Sequence, residues 1–273
     1  MPSDIVDPNL YDEKYYLQNK DFETFEAFRK NLEKNIFYKH RDVLKRCQFS
    51  QETKVLDIGC GRGDMVYHAV KSGCRKAVGI DYSSDAIKIA QKLRETLDQD
   101  SQRRMQFFEG DAYSITVREE FNYIFMIEVW EHMYDHQLIP LLTKIRSLLT
   151  KNGMLILTTP NAFYINFLYP LKRIMNIPFN LVKFPLRTLR GKWRPKSAED
   201  FFQHVFKVKE FDDPDRDAMH INISTPIKIK KMLEHAGFSV KVECWDESKN
   251  ILSLLLSRWA GREMLISAKR EGA

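Results

Sequence analysis

The chain has 273 residues, 44% of them hydrophobic, and a net charge of +6 at neutral pH. That suits a packed core of one generous α/β domain or two small ones, and the basic balance favours an anionic contact without naming it. Four cysteines, Cys47, Cys60, Cys74 and Cys244, form no CxxC pair, so reduced thiols in a cytoplasmic setting are expected. The amino terminus MPSDIVDPNLYDEKYY is polar and acidic without a basic-then-apolar pattern, and no apolar run approaches the roughly 20 residues that span a bilayer, so neither secretion by a signal peptide nor a transmembrane segment is expected.

Residues 21–49 are rich in charged helix formers. Phe22, Phe25, Phe28, Leu32, Ile36, Phe37, Val43 and Leu44 recur near helical spacing, which predicts one or two amphipathic helices in an amino-terminal cap over residues 1–49. The period then changes. Short apolar runs at 54–59, 77–81, 106–111, 122–128 and 154–160 alternate with helical stretches such as 84–97 and 137–153. Strands alternating with helices predict βαβ crossovers and a mostly parallel sheet across residues 50–273.

Past residue 160 the alternation stops, in an insertion spanning 162–218. Its portion 163–196 has no acidic residue, while Lys172, Arg173, Lys183, Arg187, Arg190, Lys192, Arg194 and Lys196 give it +8 and leave −2 for the rest of the chain. Aromatic and aliphatic residues, Trp193 among them, alternate with those cations. This predicts a lid over a site, with an anionic membrane surface or RNA as the other surfaces it could serve. Pro170, Pro178 and Pro185 are expected to exclude one long helix. A helix at 226–238 and strands at 239–245 and 263–271 complete the pattern.

The run 55-VLDIGCGRGD-64 is a buried strand opening into Gly59, Gly61 and Gly63 before a helix. Glycines there let the backbone turn tightly and approach a ligand, and Asp81 at the end of the next strand can accept bonds from ribose hydroxyls. The spacing is GxGxG, and a further acid, Asp111, lies in 109-EGDA-112. In these motifs the sequence resembles class I S-adenosylmethionine-dependent methyltransferases over roughly residues 50–160 and 220–270. The resemblance implies a doubly wound, seven-stranded Rossmann-like sheet carrying a helical cap and an inserted lid, with strands 239–245 and 263–271 as an antiparallel edge pair. It also implies S-adenosylmethionine as cofactor. Asp57 and the backbone around Gly59, Cys60, Gly61 and Gly63 would hold its methionine portion, Asp81 its ribose, and Asp111 and Ala112 its adenine, with Tyr82 against the adenine face. Cys60 reads as a small loop filler, since no base stands beside it in sequence.

The stretch 128-EVWEH-132 follows the fourth strand. If the chain turned helical at Glu128, then Glu128, Glu131 and His132 would share one face, and the end of that strand places them and Trp130 beside the chemistry. Together with 153-GMLILTTPN-161, this stretch resembles the ubiquinone-biosynthesis O-methyltransferases. It also resembles the metal site of small-RNA 3′-terminal 2′-O-methyltransferases, which would make Glu128, Glu131, His132 and His220 ligands of a divalent cation such as magnesium. The other reading has Glu128 supporting the cofactor end, Glu131 pairing locally and His132 acting alone as general base. The expected function is O-methylation of a small or lipid-attached acceptor, such as a quinone precursor or glycan, in the cytoplasm or at the inner face of a membrane. Metal-dependent RNA 2′-O-methylation and a catalytically silent S-adenosylmethionine-binding protein stand as alternatives.

Overall fold

The structure is a computed structural model that describes residues 10–17, 22, 24–112, 119–192, 194–206, 219–245 and 261–271, without the side chains of Gln203 and His204. Residues 1–9, 18–21 and 23 of the expected cap, with Trp193 and residues 207–218 of the expected insertion, lie outside the described residues. The described residues open with three helices, α1 (Glu13–Leu17), α2 (Phe25–Lys34) and α3 (Tyr38–Leu44). The alternating segment follows as β1 (Lys54–Ile58), α4 (Asp64–Lys71), β2 (Lys76–Asp81), α5 (Ser84–Glu95), α6 (Gln99–Arg104) and β3 (Met105–Glu109). Next come β4 (Phe121–Ile127), α7 (Asp135–Leu148), β5 (Leu149–Pro160), α8 (Tyr169–Leu189) and α9 (Ala198–Phe206). The last elements are α10 (Pro226–His235), β6 (Phe238–Trp245) and β7 (Glu263–Arg270).

The strands form one seven-stranded sheet in the order β3-β2-β1-β4-β5-β7-β6. β1 to β5 pair in parallel, and β7 runs antiparallel to both β5 and β6. β7 therefore lies inside the sheet, and β6 alone of the expected edge pair is an edge. Parallel strands covered on both faces need continuous apolar runs. Accordingly, Val55, Leu56, Ile124, Phe125 and Met126 are all buried, divided between a cluster on each face of the sheet. Each such side chain contributes about 1.5–3 kcal/mol.

Helix starts follow local chemistry. Ser83 accepts from the Ala86 amide to cap α5, and Thr225 caps α10 ahead of Pro226. Two expectations from sequence are corrected. The helix expected to reach Gly153 ends at Leu148, because Leu149 turns extended and pairs with Phe121 in the sheet. α8 is a single helix of 21 residues with Pro178 and Pro185 inside it. Pro170 falls in its first turn, where no internal bond is lost. The other two prolines are seven residues apart on the outward face, where each removes one internal bond without ending the helix.

The cap helices share the core of one sheet face: Phe25, Phe28 and Leu32 are buried in the same cluster as Val55 and Met65. Ile36 and Phe37, expected on the apolar face, sit exposed between α2 and α3. Arg62 of the glycine loop clamps the cap. Its guanidinium lies 4.2 Å from the Phe28 ring centre, donates to the Tyr16 carbonyl at 2.9 Å and pairs with Asp64 at 2.8 Å. Arg62→Ala removes all three contacts at once. We expect it to lower unfolding stability by about 2 kcal/mol in a urea titration, with most of the loss recovered in Arg62→Lys if only charge matters and not if the planar fork does.

Candidate active site

A cavity of about 410 Å³ opens at the carboxyl ends of β1, β2 and β4, where open α/β sheets bind ligands. One wall is the glycine loop. Gly59, Gly61 and Gly63 have φ of 71°, 50° and 83°, and a Cβ on Gly59 would stand 2.4 Å from the Val129 side chain. Only glycine gives this turn without strain or collision. Gly59 and Gly61 line the cavity, as do Asp81, Tyr82, Asp111 and Ala112. Asp81 is buried, and its two oxygens accept from the Gly61 amide at 2.8 Å and the Ser83 amide at 2.9 Å. The Tyr82 backbone also donates toward this carboxylate, which leaves it about one acceptor site for a hydroxyl donor.

Asp57, Cys60 and Gly63 stand behind this wall. Asp57 is buried, its Oδ1 has no hydrogen-bond partner, and burial together with the charges of Asp81 and Asp64 pushes its carboxyl well up. The Cys60 thiol, raised by burial, occupies the space that a side chain on Gly79 would need. It packs as a filler rather than reaching the cavity.

Residues 128–132 do not form the expected continuous helix face. Glu128 takes a left-handed φ of 56°, alone in this among the described non-glycine residues, and a short 3₁₀ turn covers Trp130–His132. That conformation is costly for a side-chain-bearing residue, and such strain collects at functional sites. It splits the cluster. Trp130 turns into the core, fully buried, and donates Nε1 to Ser224 Oγ at 3.2 Å. The expectation that Trp130 flanks the chemistry is therefore corrected. Glu128 and His132 line the cavity, and Glu131 is buried behind them.

The threonines that close β5 hold the two glutamates. Thr158 Oγ1 donates to Glu128 at 2.8 Å, and Thr159 Oγ1 donates to Glu131 Oε2 at 2.9 Å. The Lys39 ammonium, from α3, lies 2.5 Å from Glu128 and 3.0 Å from Glu263. Burial alone would push the Glu128 carboxyl up, but the Lys39 charge overrides it and holds Glu128 below the usual carboxylate range. Burial and then the Glu128 charge push Glu131 well above that range. Its Oε1 has no hydrogen-bond partner.

The segment 219–224 runs beside the 3₁₀ turn. The Asn222 amide donates to the Glu131 carbonyl at 3.0 Å and its side chain to the Met133 carbonyl at 2.9 Å. This brings the His220 ring to 5.0 Å from that of His132. Ligand atoms of Glu131, His132 and His220 then lie within 4.8 Å of one another. Glu128, expected in that set, stands outside it because Lys39 and Thr158 engage its carboxylate. His132 Nδ1 lies 2.9 Å from the Met219 carbonyl, which can only accept. The neutral ring therefore carries its proton on Nδ1 and its lone pair on Nε2.

Two groups escaped the sequence reading. Tyr11, Tyr15 and Tyr16 line the cavity, with the Tyr11 hydroxyl 3.0 Å from His132 Nδ1 and the Tyr11 carbonyl accepting from Ser83 Oγ at 2.6 Å. Three tyrosines within six residues of an otherwise acidic segment were the available signal. Lys39 gave none, since its carboxylate partners are remote in sequence.

A sheet of this order, with a glycine-walled cavity and an acid closing the second strand, has the class I S-adenosylmethionine-dependent methyltransferase fold. The chain belongs to the methyltransferase domain family, whose model matches residues 28–242. It is 26% identical over 160 residues to the mitochondrial ubiquinone biosynthesis O-methyltransferase of Dictyostelium discoideum, covering 54% of this chain and 47% of that one. It is 38% identical over 78 residues to an uncharacterized methyltransferase of Schizosaccharomyces pombe, covering 29% and 27%. The chain thus spans less than half the length of these curated relatives. Among solved structures, a SAM-dependent methyltransferase from Archaeoglobus fulgidus superposes with a TM-score of 0.52 at 17% identity, over 94% of this chain and 97% of that one. The glycopeptide N-methyltransferase MtfA, complexed with S-adenosylmethionine, gives 0.55 at 14% identity over 86% of each. At these identities both speak for the fold alone.

Removing one partner of a buried ion pair leaves an uncompensated charge. Lys39→Ala strands Glu128 and Glu263, and we expect a loss of about 3–5 kcal/mol in denaturant unfolding. Lys39→Arg should retain more than half of that, and equal losses in the two variants would show that packing, not charge, is what Lys39 supplies.

Proposed function

We propose that the protein transfers the methyl group of S-adenosylmethionine to a hydroxyl of a small or lipid-attached acceptor, of which a quinone precursor or a glycan is the expected kind. The observation that carries this reading is the placement of His132 on the wall of the cavity formed by the glycine loop and Asp81. The residues fit the cofactor: the positive-φ glycines leave room for close backbone approach, the unpartnered Asp57 oxygen offers an acceptor behind the loop, and Asp81 retains acceptor capacity. The cofactor, when bound, supplies an electrophilic methyl on sulfur. The chain's tasks are to orient the acceptor oxygen, exclude water and take its proton. His132 Nε2 is the base in this reading: as the O–C bond forms and the S–C bond breaks, the hydroxyl proton passes to the imidazole and S-adenosylhomocysteine departs.

A second reading rests on the donor set of Glu131, His132 and His220. Two imidazoles and a carboxylate suit a divalent cation, and the unpartnered Glu131 oxygen is a further point in its favour. Such an ion would lower the pKa of a bound hydroxyl and so favour an acceptor with vicinal hydroxyls.

Both readings share a first measurement, calorimetric titration of S-adenosylmethionine with and without EDTA. We expect binding that Asp81→Asn weakens on the order of tenfold; no binding to the intact protein would overturn the methyltransferase reading itself. With a dihydroxybenzoate and radiolabelled cofactor, His132→Ala should lower turnover by roughly 10²–10⁴-fold while leaving cofactor affinity within about threefold. Loss of turnover in EDTA with recovery on adding magnesium would select the metal-assisted reading; indifference to EDTA would select the imidazole base.

A further inference from the structure

α8 presents the wrong face to water for a lid. At 100° per residue, its inner side carries Arg173, Ile177, Asn180 and Phe184, and this side is half-buried to buried with α9 packed against the helix. The opposite arc is apolar and open. Met175 is 72% exposed, Phe179 64%, Val182 61% and Leu189 83%, with Leu171 and Leu186 exposed beside them. Along one flank of this arc run Lys172, Lys183, Arg187 and Arg190, within a segment that holds eight cations and no acid from 163 to 196. Soluble helices turn such an arc toward the core, and an open apolar face of this extent marks an interaction surface.

We infer that α8 lies in the plane of an anionic lipid bilayer, its apolar arc among the acyl chains and its flanking cations at the headgroups. Three observations single out this occupant. A second copy packed arc against arc would bring its flanking cations, Lys172, Lys183, Arg187 and Arg190, up to the same four on its partner with no acid in the segment to offset them. Single-stranded RNA needs aromatic faces for stacking, whereas this arc is aliphatic apart from Phe179. No described helix is long and apolar enough to cross a membrane, so an in-plane pose is the one left to a helix with this division of faces. Lysine and arginine stems can lie along the apolar arc while their charges reach lipid phosphates. α8 follows β5 through Asn161 and a short π-helical turn, Tyr164–Leu168, and so leaves the sheet at its carboxyl edge. The cavity opens at that same edge, so the helix sets out from the side of the sheet on which an acceptor would enter.

Flotation of the full chain with vesicles tests this independently of any methyl transfer. The probes are neutral phosphatidylcholine vesicles and the same vesicles containing about 30% phosphatidylglycerol, an anionic fraction that attracts basic segments. We expect at least roughly tenfold stronger binding to the anionic vesicles, weakening as salt is raised. Val182→Glu with Phe179→Glu should abolish it, and Lys172→Glu with Lys183→Glu should remove the preference for anionic lipid. All these positions are exposed or on the outer flank, and unchanged S-adenosylmethionine affinity or circular dichroism reports that the variants fold. Three results would overturn the inference: no vesicle binding by the intact protein, equal binding by the glutamate variant, or a wild-type dimer that the variant dissociates while vesicles are ignored. Binding of an RNA oligonucleotide lost in the charge variants, without vesicle binding, would do the same.

Discussion

One ammonium group holds the working end of the sheet together. Lys39 reaches from the cap to two carboxylates, the half-buried Glu128 after β4 and the buried Glu263 at the start of β7, and is itself buried between them. Without a counter-ion these two carboxylates, held largely away from water, would each be driven toward the protonated form, and the strand ends bearing them would repel. With Lys39 in place Glu128 stays ionised, and its charge in turn favours the protonated form of Glu131 one step deeper. The amino-terminal helices are thus part of the electrostatics of the site, although they contribute no strand to the fold.

The same dependence recurs at the glycine loop. Its turn is possible because three glycines occupy left-handed conformations, and it is held from behind by Arg62, whose other contacts are all with the cap or with α4. Tyr11 completes the enclosure from the front, binding Ser83 beside the cofactor wall and approaching His132 beside the proposed base. One short segment therefore touches both ends of the cavity.

The strands were legible because burial on both faces writes itself into sequence as short apolar runs, and the loop was legible because glycines and acids keep fixed distances along the chain. What failed to show had causes outside the local sequence. The shared face of Glu128, Glu131 and His132 assumed a helix, and one left-handed residue dissolves it, sending Trp130 inward. Lys39 finds its partners some 90 and more than 200 positions away, and pairings at that range leave no periodic mark. The prolines of α8 read locally as breaks, but their seven-residue spacing puts both on one side of the helix. There each removes one internal bond without making an end.

The closing threonines of β5 carry a consequence for how the chain can vary. Successive strand residues point to opposite faces, so Thr158 and Thr159 serve Glu128 and Glu131 separately, and a slip of one position would exchange their directions. Upstream, β5 takes five steps along the chain from Leu149 to Met154 where β4 takes two from Phe121 to Tyr123. That bulge, with Lys151 and Asn152 exposed, takes up slack before the strict register begins. Changes of length there are absorbed, as in a splice with spare cable, whereas a residue added or lost between Met154 and Thr158 would arrive undiminished at the two carboxylates.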